Sequence, residues 1–331
     1  MDPAAAAEPV SPEVLEAFGF PGAGCSRLEG GLMNEHWLVS SGERRCVIRR
    51  YHLLRTDAAI GWEQDLVEHA GSRGWPVAPA LPAIDGTKLV AHAGRLWAAA
   101  AYLEGETGAM ETPASFHIAG RLLGRLHRDL ASFELDGQRP DFGKTWELDA
   151  AVAPAGEGSF NDLLAAFARE HPDLASLIRR QRYRNLRELA RLKYPDLPDR
   201  PIHGDFQRSN LLWTDGRFSG LLDFDQSRRD ALVCDIAPLL MPFQPLDQKL
   251  AAALLSGYQT VRPLSDAEWE LLPALVRSAL LWWVAFLLVQ WRTRGGSVEG
   301  IARTMTVRFP AFEAAEPAYR GLRAGTSPSA G

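Results

Sequence analysis

The segment Pro201-Ile202-His203-Gly204-Asp205-Phe206-Gln207-Arg208-Ser209-Asn210, with Asp223-Phe224-Asp225 beginning thirteen positions after Asn210, decides how this chain is read. Phosphoryl transfer from ATP asks for a carboxylate beside the attacking hydroxyl. It also asks for an amide oxygen and a second carboxylate to hold the magnesium ions that neutralise the phosphates. Asp205, Asn210 and Asp223 provide those three groups. A tight five-residue loop puts Asp205 and Asn210 on one rim. A hairpin running out along Leu211-Leu212-Trp213 and back along Ser219-Gly220-Leu221-Leu222 returns Asp223 to that rim, with Asp215-Gly216 as its turn. His-Gly-Asp alone is a common tripeptide, so the reading rests on the whole cassette.

The rest of the composition is consistent with a globular protein. Hydrophobic residues make up 46% and charged residues 23% of the 331 positions, and the net charge of -5 gives no electrostatic footprint for nucleic acid. Three cysteines, Cys25, Cys46 and Cys234, form no CxxC pair, which points away from a disulfide framework or zinc site and toward a cytoplasmic location. The first residues lack the apolar core of a signal peptide. The uncharged run 278–291 falls short of a membrane span and reads as a buried core helix, so no membrane association is expected.

The pattern changes character near residue 105. Before it, β-rich runs at 25–29, 34–40, 45–51, 88–92 and 95–102 alternate with turns, interrupted by one helix at about 60–72. After it, helical spacing dominates, at 116–126, 163–167, 183–192, 250–258 and 269–291. The expected organisation is an α+β, two-lobed one. A tail (1–20) leads into a small antiparallel β lobe (21–101). A hinge (102–106) joins this to a larger helical lobe (107–323), and a second tail (324–331) follows.

With both halves read, the chain resembles the aminoglycoside phosphotransferase and choline kinase family, which also takes in homoserine kinase type II-like enzymes and shares the two-lobed protein-kinase-like fold. The resemblance runs from about Leu28 to Trp291. It is carried by the HGDxxxxN pattern from His203 to Asn210, by Leu222-Asp223-Phe224-Asp225, and by Asp235-Ile236-Ala237. Weaker matches are Glu29-Gly30-Gly31-Leu32-Met33-Asn34, Val47-Ile48-Arg49 and Leu126-His127. The resemblance implies that Asp205 is the catalytic carboxylate and that Asn210 and Asp223 are metal ligands. Asp225 would join them through water or at a second ion. His203 and Asp235 would support the loop. The implied cofactors are ATP and Mg2+, the latter also suited to hard oxygen ligands.

The nucleotide side departs from the protein-kinase pattern, where a third-strand lysine pairs with a helix glutamate. Here the strand position is Arg49, a residue that can bind phosphate bidentately. Arg50 alternates to the opposite face. Glu63 is the expected partner, with Glu68 as competitor. Gly30 and Gly31 are candidates for a phosphate-covering turn, although they lack GxGxxG spacing. The resemblance places adenine against the backbone from Ala101 to Leu103.

The expected partner is a small-molecule acceptor, drawn from amino alcohols, hydroxy amino acids such as homoserine, or aminoglycosides, with homoserine the first to test. Trp282, Trp283 and Trp291 could hold an ammonium, but tryptophans in an apolar helix are usually core. Asp247, Asp266, Glu268 and Glu270 read as solvated surface. A Ser/Thr protein kinase would need a longer segment than the ten residues from Asp225 to Asp235. A silent nucleotide-binding protein would draw support from Arg49 and the thin glycine turn alone. A metal-dependent hydrolase lacks its HExxH motif.

Overall fold

The computed structural model of the chain describes residues 9–28, 34–108, 110–134, 137–153, 156, 158–241 and 246–325. In the first lobe, α1 (Pro12–Ala17) precedes β1 (Gly24–Leu28), β2 (Glu35–Ser41) and β3 (Arg44–Arg50). Helix α2 (Asp57–Ser72) follows, then β4 (Ala80–Leu81), β5 (Val90–His92) and β6 (Arg95–Ala101). The strands pair antiparallel in the order β1-β2-β3-β6-β4, with β5 also on β6. Alternation along β3 buries Cys46 and Ile48 on one face and turns Arg49 to the other, toward α2. Arg50, on the first face, pairs with Glu35 and lies over Trp37 and Trp97.

That first face is sealed by α1, whose Val14, together with Phe18 and Phe20 just beyond it, packs with Trp37, Ile48 and Trp97. Residues 12–20 therefore belong to the β lobe and are not a frayed tail as the sequence suggested. Ser11 caps the helix by accepting from Val14 N, and Pro12 opens it. Six residues are too few for apolar periodicity to reveal them.

The second lobe contains β7 (Glu106–Thr107), α3 (Pro113–Leu130), α4 (Asp149–Val152), α5 (Phe160–Ala168) and α6 (Pro172–Arg191). Then come β8 (Arg200–Ile202), β9 (Leu211–Thr214), β10 (Arg217–Leu221) and β11 (Arg228–Asp230), followed by α7 (Ala237–Leu240), α8 (Gln248–Gln259), α9 (Asp266–Arg294), α10 (Glu299–Arg303) and α11 (Phe309–Gly325). The chain has the α+β, two-lobed kinase-like fold. Helices α3 and α8 pack very closely. A Cβ at Gly120 would lie 2.0 Å from Leu254 O, and one at Gly257 would lie 2.0 Å from His117 O.

Helix α9 begins at a Ser265/Glu268 capping box and ends at Gly295 in the left-handed region. It is long and apolar enough to cross a membrane by length and composition, yet 72% of its most apolar window is buried within the protein. At its middle, the fully buried Arg277 pairs with Glu188 of α6 at 2.7 Å and Glu316 of α11 at 2.9 Å. The guanidinium thereby ties three helices together.

Candidate active site

Strand β8 delivers the chain to His203, and its pairing with β11 sets Ile202 opposite Arg228. The loop that leaves β8 needs glycine. Gly204 has φ +81°, and a Cβ there would stand 2.0 Å from Gln226 O and 2.6 Å from Arg228 Nη1. Gly204→Ala is expected to lower stability by about 3 kcal/mol, from the left-handed backbone and the overpacking combined. Urea unfolding reads this directly, and an unchanged midpoint would show that the 226–228 segment can yield.

The loop is braced from beneath. Both oxygens of the buried Asp235 accept from its backbone, Oδ2 from His203 N at 2.7 Å and Oδ1 from Gly204 N at 2.6 Å, and His127 Nε2 lies 3.1 Å from Oδ2. Burial pushes the Asp235 carboxyl up, but the hydrogen bonds it accepts from the His127 ring and from backbone N–H groups outweigh it, and the net pKa lies below the usual range. His127 is fixed in turn by the Tyr258 hydroxyl at 2.8 Å, a contact that the close approach of α3 and α8 makes possible. Burial lowers the His203 pKa to about 4, so its ring is neutral near pH 7. Nδ1 accepts from Asp205 N at 3.3 Å, which leaves Nε2 to donate to Leu222 O at 3.0 Å.

Asp205, half-buried, accepts from Asn210 Nδ2 at 3.0 Å and Gln207 Nε2 at 2.8 Å through Oδ2. Asn210 Nδ2 also donates to Asp205 O at 2.9 Å, which turns its amide oxygen the other way. The expected hairpin forms between β9 and β10, with both Asp215 and Gly216 at positive φ. On its return, Leu222 N bonds Asn210 O at 2.9 Å, bringing Asp223 beside the loop. Asp223 itself has φ +61°, and its side chain is 41% exposed. Burial and the neighbouring Asp223 charge raise the Asp205 pKa to about 8.

Across the cleft, Arg49 Nη1 donates to Glu63 Oε1 at 2.9 Å and Asp225 Oδ1 at 2.6 Å. Its Nε donates to His36 Nε2 at 2.8 Å, while Nη2 lies 3.9 Å from Asp223 Oδ1. Glu63, not Glu68, is the partner, because Glu68 pairs with Lys88. Asp225, expected to join the metal ligands through water or at a second ion, has Oδ1 bonded by Arg49 and Oδ2 by Asn34 Nδ2. Asn34 also accepts from His52 N at 2.9 Å, so it ties the start of β2 to both lobes.

Two arginines that the sequence reading did not single out complete this cluster. Arg55 bonds Asp141 Oδ2 and, at 3.1 Å, Asp225 O. Arg139 bonds Glu63 Oε2 at 3.2 Å and Asp141 Oδ1 at 2.8 Å. Burial pushes the Asp225 carboxyl up, and Arg49, Arg55 and Arg139 together hold it below its ordinary value.

Ala101 ends β6 opposite Cys46, and Leu103 follows in the irregular stretch before β7. Gly30 and Gly31 lie outside the described residues. Trp282 stacks on Phe142 and donates to Thr145 O, Trp283 stacks on Phe286, and Trp291 meets Phe167 edge-on. Glu268 is not solvated surface: it is 5% exposed, bonded within its capping box and paired with Arg262 at 2.6 Å.

The sequence matches the phosphotransferase enzyme family over residues 24–272. It is 29% identical over 268 residues to a homoserine kinase of Gluconobacter oxydans, covering 79% of this chain and 80% of that one. It is 31% identical over 293 residues to an uncharacterized protein of Deinococcus radiodurans, covering 83% and 80%. Among solved structures, amicoumacin kinase hAmiN in complex with AMP-PNP, Ca2+ and Ami aligns with a TM-score of 0.72 at 15% identity, covering 91% of this chain and 92% of that one. The microcompartment-associated aminopropanol kinase aligns with a TM-score of 0.68 at 19% identity, covering 93% and 97%.

Proposed function

This chain belongs to the phosphotransferase enzyme family, and we propose that it transfers the γ-phosphoryl group of Mg-ATP to a hydroxyl of a small hydroxy amino acid, with homoserine the first candidate. The observation that carries the reading is the Asp205 carboxylate, held by Asn210 and Gln207 on a braced loop with Asp223 beside it. Asp205 orients the acceptor hydroxyl and accepts its proton as the phosphoryl group leaves. The exposed Asp223 carboxylate and the outward amide oxygen of Asn210 form a hard-oxygen pair of the kind magnesium binds together with phosphates and water. The ion, when bound, neutralises charge on the phosphates. Arg49 Nη2 is the arm left to meet a phosphate oxygen, while Asp225, Glu63 and His36 fix the rest of the guanidinium. His203 and Asp235 hold the loop's shape and do not exchange protons in the reaction. Adenine would lie against residues 101–103.

Homoserine kinases are among the relatives that match, over about four fifths of their own length. A polycationic acceptor favours a cluster of open carboxylates; among the described residues beside the site, Asp141 is engaged by Arg55 and Arg139, and Asp230 by Thr145 and Tyr194. ADP release from Mg-ATP with homoserine, choline, ethanolamine, aminopropanol, sugars and aminoglycosides tests the proposal. Turnover is expected with homoserine and absent with aminoglycosides. Turnover confined to a polycationic acceptor would overturn the assignment of substrate class.

A further inference from the structure

Arg139 lies in the stretch between α3 and α4, is 1% exposed, and commits its whole guanidinium to the site. Nε donates to Asp141 Oδ1 at 2.8 Å. Nη2 donates to Glu63 Oε2 at 3.2 Å. Nη1 faces the carbonyls of Phe224, Asp225 and Ser227 at 3.3, 2.9 and 3.2 Å. One side chain of the helical lobe thus grips the α2 glutamate of the β lobe and the backbone that follows Asp223.

We propose that Arg139 is a positioning residue that aims Arg49 at the nucleotide by holding Glu63, and that sets the course of the Asp223-Phe224-Asp225 segment. The inference rests on the phosphotransfer reading. Glu63 is 4% exposed, and Arg49, which it must orient, is pulled as well by Asp225 on the opposite side. With Arg139 on Oε2, Glu63 has a partner for each oxygen, and Oε1 stays directed at Arg49. The charges alternate from Asp141 through Arg139, Glu63 and Arg49 to Asp225, and Arg55 closes the ring from Asp141 to Asp225 O. Three guanidiniums balance three carboxylates within it. Asp205 and Asp223 lie outside this ring of pairs, so their carboxyl groups stay available to the acceptor and the metal-nucleotide complex.

The test uses the wild type, Arg139→Gln, Arg139→Lys, Glu63→Gln and the Arg139→Gln/Glu63→Gln double variant. Each is checked for folding by circular dichroism, and Kd for Mg-ATP is read by calorimetry alongside KM for ATP and for the acceptor. Arg139→Gln is expected to weaken Mg-ATP on the order of tenfold, with acceptor KM moving less than about twofold, and to add little once Glu63→Gln is present. Arg139→Lys keeps the charge but loses the fork and is expected to weaken Mg-ATP in the same direction, which carries the test if the glutamine variant does not fold. A wild-type Kd in a folded variant, or effects that multiply in the double variant, would overturn the inference while leaving the kinase reading intact. A wild type that binds no Mg-ATP would take both down together.

Discussion

Replacing Asp205 with Asn is expected to cut kcat for acceptor-dependent ADP release by about a thousandfold while Mg-ATP binding is retained. The amide oxygen can still accept from Asn210 and Gln207, so the loop keeps its shape and only the proton acceptor is lost. The same substitution carries a stability signature with a definite sign. The Asp205 pKa is raised to about 8 in the fold, from an ordinary value of 3.8, by burial and then by Asp223. The ionised group therefore opposes folding in full above about pH 8, and the opposition fades as pH falls through 8 toward 4. Without nucleotide, Asp205→Asn should melt above the wild type at alkaline pH, and the difference should shrink on acidification. A variant that melts lower at every pH would contradict the burial argument, and one with near-normal kcat would remove Asp205 from the chemistry.

Arg49→Met is expected to remove measurable Mg-ATP binding and to lower stability by about 3 to 5 kcal/mol, because it leaves Glu63 and Asp225 without their shared cation. Arg49→Lys should rescue little of either. An ammonium is a point charge, whereas the guanidinium reaches Glu63, Asp225 and His36 from three separate N–H directions and still presents Nη2 toward Asp223. Denaturant unfolding and calorimetric titration with Mg-ATP read the two effects. A lysine variant equal to the wild type in both would mean that the network serves one charge and not one geometry.

The fold was legible because its signals are local. Alternation in β3 told Arg49 from Arg50, the Asp215-Gly216 turn fixed the hairpin, and apolar spacing located α3, α8 and α9. The cassette from His203 to Asp223 could be read for the same reason, since spacing along one loop and one hairpin sets its geometry. What escaped was set by distant contacts. Arg139, Arg55 and Asn34 meet the site only after the chain has folded, and the pairing of the two Asp225 oxygens with Arg49 and Asn34 could not be read from local spacing. Helix α1 escaped because one and a half turns leave no period to detect.

The ring around Glu63 also bears on the order in which the molecule assembles. Its links join positions 76, 86 and 176 residues apart, from Glu63 to Arg139, Arg55 to Asp141 and Arg49 to Asp225. Contacts so far apart along the chain are reached slowly, after nearby helices have paired. Charges that close last contribute to the native state but not to the folding transition state, so removing one speeds unfolding and leaves the refolding rate almost untouched. Refolding chains should therefore regain helical circular dichroism before they regain nucleotide binding, and the lifetime of the folded enzyme should depend on arginines that never touch the acceptor.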